Sequence, residues 1–372
     1  MSDTLTRDDL APASEADLSR LIADSFSRQQ RLRIAGGGTR VQIASNHARL
    51  STARLSGVVA YEPGEMTLIA RAGTPLAEIE RMLADEGQAL AFEPPDLRGL
   101  LRTTGTPTIG GMVAANASGP RRLRMGACRD HLLGVRFVDG QGRVIKNGGR
   151  VMKNVTGLDL SKLMAGSFGT LGVLTEMALK TLPIAPESAT LVLPGLDAAN
   201  AVQVFCEALA TPFEVSGAAW RDGTAYLRIE GLASQVTYRR DRLAALLKGH
   251  RIEMLDGKPT AALWRDMRDA THVAGDLPLW RILVKPTDAP AACAALTALG
   301  GQVSLDWGGG LIWYAGPGEV RAACSGHATL IRRAGLDQPT FPPLDETVAR
   351  LQSGLRRTFD PAGILNPGLM DR

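Results

Sequence analysis

Three runs in the first half of the chain combine glycine and threonine: Ala35-Gly36-Gly37-Gly38-Thr39, Thr108-Ile109-Gly110-Gly111 continuing to Asn116-Ala117-Ser118-Gly119, and Gly169-Thr170-Leu171-Gly172. Their chemistry is that of a phosphate cradle. A pyrophosphate concentrates negative charge, and a backbone without side chains brings several N–H donors close to it. Taken alone, the first run is a flexible turn and the third a tight one. The second says more, because its two glycines lead into Met112-Val113-Ala114-Ala115-Asn116-Ala117, small residues on a short helix. Small side chains let a flat ring or a pyrophosphate lie against the backbone, while Asn116 and Ser118 offer hydrogen bonds. The three together point to one envelope around a bound dinucleotide. A Rossmann motif is disfavoured: its glycines are spaced G-x-G-x-x-G between a strand and a helix, whereas these are contiguous and Thr39 to Asn46 does not read as a buried helix.

The elements that must position these runs are legible around them. Ser14 to Gln30 reads as an amphipathic helix capped by Ser14, with Leu18, Leu21, Ile22 and Phe26 on one face. A strand at Leu32 to Ala35 feeds the triple glycine. Val58 to Tyr61 and Thr67 to Ala72 read as strands about the turn Glu62-Pro63-Gly64-Glu65, and Thr74 reads as the cap of a helix with Pro75 first and Leu76, Ile79 and Leu83 buried. Val135 to Val138 and Val144-Ile145 form a hairpin across Asp139-Gly140-Gln141-Gly142, and a strand from Leu171 to Leu182 ends at Pro183 and Pro186. The proline pair is the expected boundary. Beyond it come strand 190–193, helix 198–210, strands 216–220 and 225–230, helix 233–248 and strand 251–255, the βαββαβ order of a ferredoxin-like fold. Strands near 279–284, 302–307 and 311–315 follow, then a helix from Leu344 to Phe359; no internal repeat is apparent.

Composition narrows the function classes. The chain has 372 residues, 45% hydrophobic and 22% charged, an ordinary globular balance long enough for two cores. Its net charge of +4 is dispersed, and the densest basic cluster, Arg121-Arg122-Leu123-Arg124, lacks interleaved aromatics, which argues against nucleic-acid binding. That cluster reads either as a solvated loop or as a patch meeting an acidic partner or cofactor phosphates. No apolar run approaches the roughly twenty residues of a membrane-spanning helix, and Met1 to Ala13 has no signal-peptide core, so a cytoplasmic protein, held at a membrane only through partners, is expected. Cysteines 128, 206, 293 and 324 are scattered singly, without iron–sulfur or zinc spacing. No metal site is expected.

In this order, the three runs resemble the FAD-binding domain of the vanillyl-alcohol oxidase and p-cresol methylhydroxylase (PCMH) class of flavoproteins. Asp159-Leu160-Ser161-Lys162-Leu163 and the tail Phe359-Asp360-Pro361-Ala362-Gly363-Ile364-Leu365-Asn366-Pro367-Gly368 are similar to segments of bacterial 2-hydroxy-acid dehydrogenases. More narrowly, Ala72-Gly73-Thr74-Pro75-Leu76, Glu93-Pro94-Pro95, Gly119-Pro120-Arg121-Arg122, Gly149-Arg150-Val151-Met152-Lys153-Asn154-Val155 and Asp306-Trp307-Gly308-Gly309 resemble the FAD-binding subunits of bacterial glycolate oxidases. The resemblance covers essentially the whole chain and is weakest in its middle third. It implies an α+β fold: a two-lobed PCMH-type FAD-binding domain at 1–185, a smaller ferredoxin-like cap at 186–335, and a C-terminal segment at 336–372 packing back. It also implies FAD as cofactor, a small 2-hydroxy acid as substrate of the complex, and two partners, a larger FAD-containing subunit and an iron–sulfur subunit.

Carried over motif by motif, the resemblance assigns Gly36, Gly37, Gly38 and Thr39 to the pyrophosphate loop and Thr108, Gly110, Gly111, Asn116, Ser118 and Gly119 to the segment along pyrophosphate and flavin. Gly126, Arg129 and Asp130 fall in the turn after it, Gly172 and Val173 at the adenine side, and Asn366 on the tail returning to the flavin. There are departures. Many members place an arginine before the triple glycine, where this chain has Ala35, leaving Arg33 or Arg40 to supply that charge. Members that oxidise hydroxy acids directly carry a histidine-rich cap motif, whereas His272 and His327 stand alone, so no catalytic residue is assigned and the longer partner is expected to carry the oxidation. Cys128 and His131 lie near the second run without an attachment signature, so FAD is expected to be non-covalent. Asp306-Trp307-Gly308-Gly309-Gly310 reads as a hairpin turn or as an aromatic lid over the flavin. The alternatives are a self-sufficient D-2-hydroxy-acid dehydrogenase and a structural subunit that kept the fold without FAD.

Overall fold

A computed structural model describes residues 10–40, 46–149 and 157–370. The Arg150 to Val155 part of the glycolate-oxidase-like motif, and most of Thr39 to Asn46, lie outside the described residues.

Helix α1 (Glu15–Ser27) starts where Ser14 Oγ accepts the Asp17 N–H, and it buries Leu18 and Ile22. Strands β1 (Leu32–Ala35) and β2 (Ala48–Ser51) pair in parallel, from Leu32 opposite Ala48 to Ala35 opposite Ser51. Ala48-Arg49-Leu50-Ser51 alternates apolar and polar over only four residues, too short a run to mark β2 in the sequence. The C-terminal tail joins this lobe: Leu32 N–H donates to Ile364 O, and Ile364 and Leu365 pack with Leu18, Ile22 and Leu50.

Strands β3 (Val58–Glu62), β4 (Thr67–Arg71), β5 (Leu132–Val138), β6 (Val144–Gly148) and β7 (Val173–Lys180) form a five-stranded antiparallel sheet in the order β3-β4-β7-β5-β6. Leu76, Ile79 and Leu83 of α2 (Leu76–Asp85) and Met112 and Val113 of α3 (Ile109–Ala114) pack with Phe137, Met177 and Leu179 of the sheet. Thr74 does not cap α2. Pro75 holds the cap position, and the Thr74 hydroxyl donates to Arg71 O and Gly57 O and accepts the Gly57 N–H, tying the end of β4 to the start of β3.

From Glu187 onward the chain builds one eight-stranded sheet. It contains β8 (Glu187–Pro194), β9 (Val215–Arg221), β10 (Thr224–Gly231), β11 (Glu253–Asp256), β12 (Leu279–Leu283), β13 (Gln302–Asp306), β14 (Leu311–Ala315) and β15 (His327–Arg332). Their order is β11-β8-β10-β9-β13-β14-β12-β15. The first four strands, with helices at Ala198–Leu209 and Ala233–Leu246, are the expected ferredoxin-like unit in its 4-1-3-2 order. The last four, with helices at Ala289–Ala298 and Val320–Ala323, repeat the βαββαβ order as 2-3-1-4. The expectation of no internal repeat is therefore corrected at the level of topology. The two units meet edge to edge at one backbone pair, Trp220 opposite Leu305.

Strand periodicity sets the role of each face. Along β12, Trp280 and Ile282 enter the core beneath the helices, while Arg281 and Leu283 point the other way, toward the N-terminal lobe. A buried ionic clasp joins the two parts. Glu93 holds Arg228 of β10 through two bonds of 2.8 and 3.0 Å and accepts the Arg121 N–H, and the Arg121 side chain holds Glu230 at 2.6 Å. Arg124 pairs with Glu214. Two members of the basic cluster are thus neither a solvated loop nor phosphate ligands: they brace the cap.

Candidate functional site

The triple glycine ends β1 and lies back to back with the 105–108 turn. A Cβ on Gly36 would sit 2.4 Å from Thr108 Oγ1, and one on Gly37 only 1.7 Å from Thr106 O. Close backbone approach therefore dictates glycine at position 37. The loop borders an open cavity whose wall includes Ile34 to Arg40, Thr108, Gly110, Gly111, Gly172, Val173 and Asn366. The N–H groups of Gly36, Gly37, Gly38 and Thr39 have no acceptor among the described residues. Backbone donors in a folded protein are otherwise almost always paired, so four uncommitted ones in succession on a cavity wall suit an anion. By contrast, α3 has spent its first donors on the protein: Ile109 N–H on Thr74 O, Gly110 N–H on Ala72 O and Gly111 N–H on Thr108 Oγ1.

Arg40, Ala115 and Phe168 also border a second chamber, so the two spaces adjoin. One wall of it is Asn116 to Gly119; the other is the cap sheet, with Arg281, Leu311, Trp313, His327 and Thr329. Trp307 is presented by a turn in which it and Gly308 both have positive φ, 54° and 64°. The positive φ at Gly308 favours glycine after the tryptophan. The Trp307 indole N–H donates to Gly119 O at 3.0 Å, which makes the Asp306–Gly310 segment both a turn between β13 and β14 and an aromatic contact to the second glycine run.

Residues 9–148 match the family model described as an FAD binding domain. The "Glycolate oxidase subunit GlcE" of Escherichia coli (strain K12) is 36% identical over 323 residues, 84% of this chain and 84% of that protein. The chain belongs to this family of FAD-binding oxidoreductase subunits. The "Glycolate oxidase subunit GlcD" of Bacillus subtilis (strain 168) is 28% identical over 178 residues, 47% of this chain and 36% of that longer one. Among solved structures, 4-ethylphenol oxidase from Gulosibacter chungangensis in its isoeugenol complex superposes with a TM-score of 0.71 at 11% identity, over 97% of this chain and 88% of that one. That likeness is of fold, and it agrees with the α+β PCMH-type architecture expected from the sequence.

The residues present fit the cofactor of the GlcE family. The open cradle, the uncommitted donors and the adjoining chamber leave room for a dinucleotide where a closed fold would have bulky side chains. Several sequence-assigned residues act through the protein instead. Asn116 Oδ1 accepts the Arg129 N–H and Ser118 Oγ the Cys128 N–H, so their oxygens fix the turn after the second run, while the Asn116 amide group remains on the chamber wall. Asp130 accepts the Ala127 N–H beneath Gly126, which has a positive φ of 84°. Gly172 packs against Phe137. Asn366 joins three segments: Oδ1 accepts from Ile34 N–H at 2.7 Å and Nδ2 donates to Phe168 O at 2.8 Å.

Replacing Asn366 by alanine leaves both backbone groups without these partners. Asn366→Ala is expected to cost about 2–4 kcal/mol and to lower FAD retention, since Ile34 and Phe168 both border the cradle. Denaturant titration with flavin absorbance checks this; unchanged stability would refute the stapling role.

Of the two arginines considered for the charge before the triple glycine, Arg40 borders both cavities and donates to Pro95 O. Burial lowers its guanidinium to about 10. Cys128 and His131 lie in the core: burial pushes the Cys128 thiol up to about 12, and His131 Nε2 lies 2.8 Å from Met125 O. Likewise His272 bonds Ser304 Oγ, with burial drawing its ring down to about 4. His327 is exposed at the second chamber. Sequence reasoning missed Arg122 and Arg281 as chamber residues, since only the folded cap brings them together. Among the described residues no three His, Cys, Asp or Glu side chains are placed to hold a metal ion, and no helix is long and apolar enough to cross a membrane.

Proposed function

We propose that this chain is the FAD-binding subunit of a glycolate oxidase complex that oxidises small 2-hydroxy acids to 2-oxo acids, together with a larger GlcD-like FAD subunit and an iron–sulfur subunit that receives the electrons. The observation that carries the reading is the loop of four uncommitted amide donors adjoining a chamber beneath the cap sheet. Gly36, Gly37, Gly38 and Thr39 hold the pyrophosphate; Thr108, Gly110, Gly111, Gly172 and Val173 wall its course; Asn116, Ser118 and Gly119 border the ring. Bound there, FAD supplies hydride acceptance and one-electron release. The chain's own part is to position the cofactor, to cover it with the cap sheet, and to set the charge around it. Residues 1–185 form the cofactor lobe, 186–335 the cap, and 336–372 the segment that returns to β1.

The relatives' names support a multi-subunit enzyme, and the matched share of this chain supports the same role here. The test is affinity purification of the tagged chain from its native host. Co-purification of a second flavoprotein and an iron–sulfur protein, with glycolate-dependent dye reduction by the complex, is expected. A chain that purifies alone and bleaches its own flavin with glycolate would replace this reading by the self-sufficient dehydrogenase, which the cationic chamber favours.

A further inference from the structure

Six arginines border the second chamber: Arg40, Arg122, Arg129, Arg268, Arg281 and Arg333. Four have evident partners: Pro95 O for Arg40, Asp130 for Arg129, Asp269 for Arg268, and Gln338 O for Arg333. The guanidinium groups of Arg122 and Arg281 have neither a hydrogen bond nor a carboxylate within 4.0 Å among the described residues. Both guanidinium groups lie over the Trp307 indole, 4.3 and 4.9 Å from its centroid. The indole is itself pinned to Gly119 O, so the two cations are held at a fixed place beside the glycine run assigned to the ring.

Two neighbouring like charges in a buried space are costly unless a counter-charge completes them. Burial first, and then the Arg122 charge, draws Arg281 down to about 10. Asp306 is the acidic group nearest to hand on the cap side, yet burial holds its carboxyl up at about 7, so near neutrality it is a partial counter-charge. Arg129 and Asp130 oppose each other's effect on Arg122. An indole face attracts a cation but leaves the N–H fork free, and that fork matches a carboxylate. His327 and Thr329 border the same chamber.

We infer that Arg122 and Arg281, held over Trp307, form a carboxylate-binding site in this chain's own chamber, and that its ligand is a small 2-hydroxy or 2-oxo acid. The inference deepens the functional reading above and rests on it for the identity of the acid. It assigns to this subunit an acid-binding role that the isolated histidines had assigned to the larger partner.

The probe is oxalate, a dicarboxylate with no hydroxyl-bearing carbon to oxidise, followed by glycolate, each titrated into the purified protein by calorimetry and by tryptophan fluorescence. FAD content is measured separately by absorbance. Saturable binding is expected, weakened about tenfold or more in Arg281→Gln and in Arg122→Gln, as for loss of a charged hydrogen bond. Arg281→Lys is expected to retain part of the affinity. Arg251→Gln, at an exposed position outside the chamber, is expected to leave it unchanged. Thermal melts identify a variant that fails to fold, and the other variant then decides. No saturable binding by the wild type, wild-type affinity in both chamber variants, or an equal loss in Arg251→Gln overturns the inference. Oxalate binding by a chain that takes up no FAD would overturn the functional reading and spare the site; FAD uptake without oxalate binding would do the reverse.

Discussion

Gly37→Ala is expected to strip the protein of FAD while Gly38→Ala largely keeps it. The added methyl at position 37 would lie 1.7 Å from Thr106 O and 2.5 Å from Thr106 C, both backbone atoms with no rotamer by which to move aside. The 36–38 loop and the 105–108 turn must separate. The cost belongs to severe overpacking, about 3 kcal/mol, and the displaced amides are the four uncommitted donors. If the whole strain falls on the bound state, FAD affinity drops roughly a hundredfold. At position 38 nothing lies within 4 Å of the added methyl, and only the positive φ of 67° is penalised, by about 1 kcal/mol. Flavin absorbance per mole of protein after gel filtration, with denaturant melts, measures both variants. Equal retention would mean that the loop does not shape the cofactor site.

The contrast between the two glycines marks what was legible in the sequence. Three glycine runs announced a cradle, and β1 ahead of the first was plain from Leu32 to Ala35. Which glycines are compelled by neighbouring backbone, and which simply leave space, depends on a turn about seventy positions downstream. Asn116 and Ser118 were readable as hydrogen-bonding residues, but their partners at Arg129 and Cys128 emerge only when the turn folds back. The first βαββαβ unit was visible because its strands alternate and its turns are marked, as at Asp222-Gly223. Its counterpart was not, since the units share an order of elements and not a residue pattern. Arg122 and Arg281 come from a short helix in one part and a cap strand in the other, so their pairing over Trp307 has no local signal.

The same non-local logic makes Glu93 the position whose loss should hurt stability most. Its carboxylate is nearly enclosed, grips Arg228 with two bonds, and accepts the Arg121 N–H, while Arg121 in turn holds Glu230. Arg228 has a side chain only 3% exposed and lies 4.5 Å over the Trp264 ring. Glu93→Ala leaves that guanidinium buried with the more distant Glu230, 3.5 Å away, as its remaining counter-charge and Ser216 as a neutral acceptor, so the expected loss is about 3–5 kcal/mol, as for breaking a buried ion pair on one side. The clasp spans the cofactor lobe and the cap, and the chamber between them should loosen with it. Its pH dependence follows from the carboxyls. Burial opposes their ionisation, but Arg228 and Arg121 outweigh it, holding Glu230 at about 2 and Glu93 below the ordinary 4.5. Groups depressed in the folded state stabilise it fully above the unfolded value and lose that contribution as pH falls through the folded one. Wild-type stability should therefore decline from about pH 4.5 toward pH 2, and Glu93→Gln, which has no charge to lose there, should decline less steeply. Urea titrations across that range decide it. A Glu93→Ala protein within about 1 kcal/mol of wild type, or parallel pH profiles for Glu93→Gln and wild type, would mean that the two parts are held together by their apolar contacts and not by this clasp.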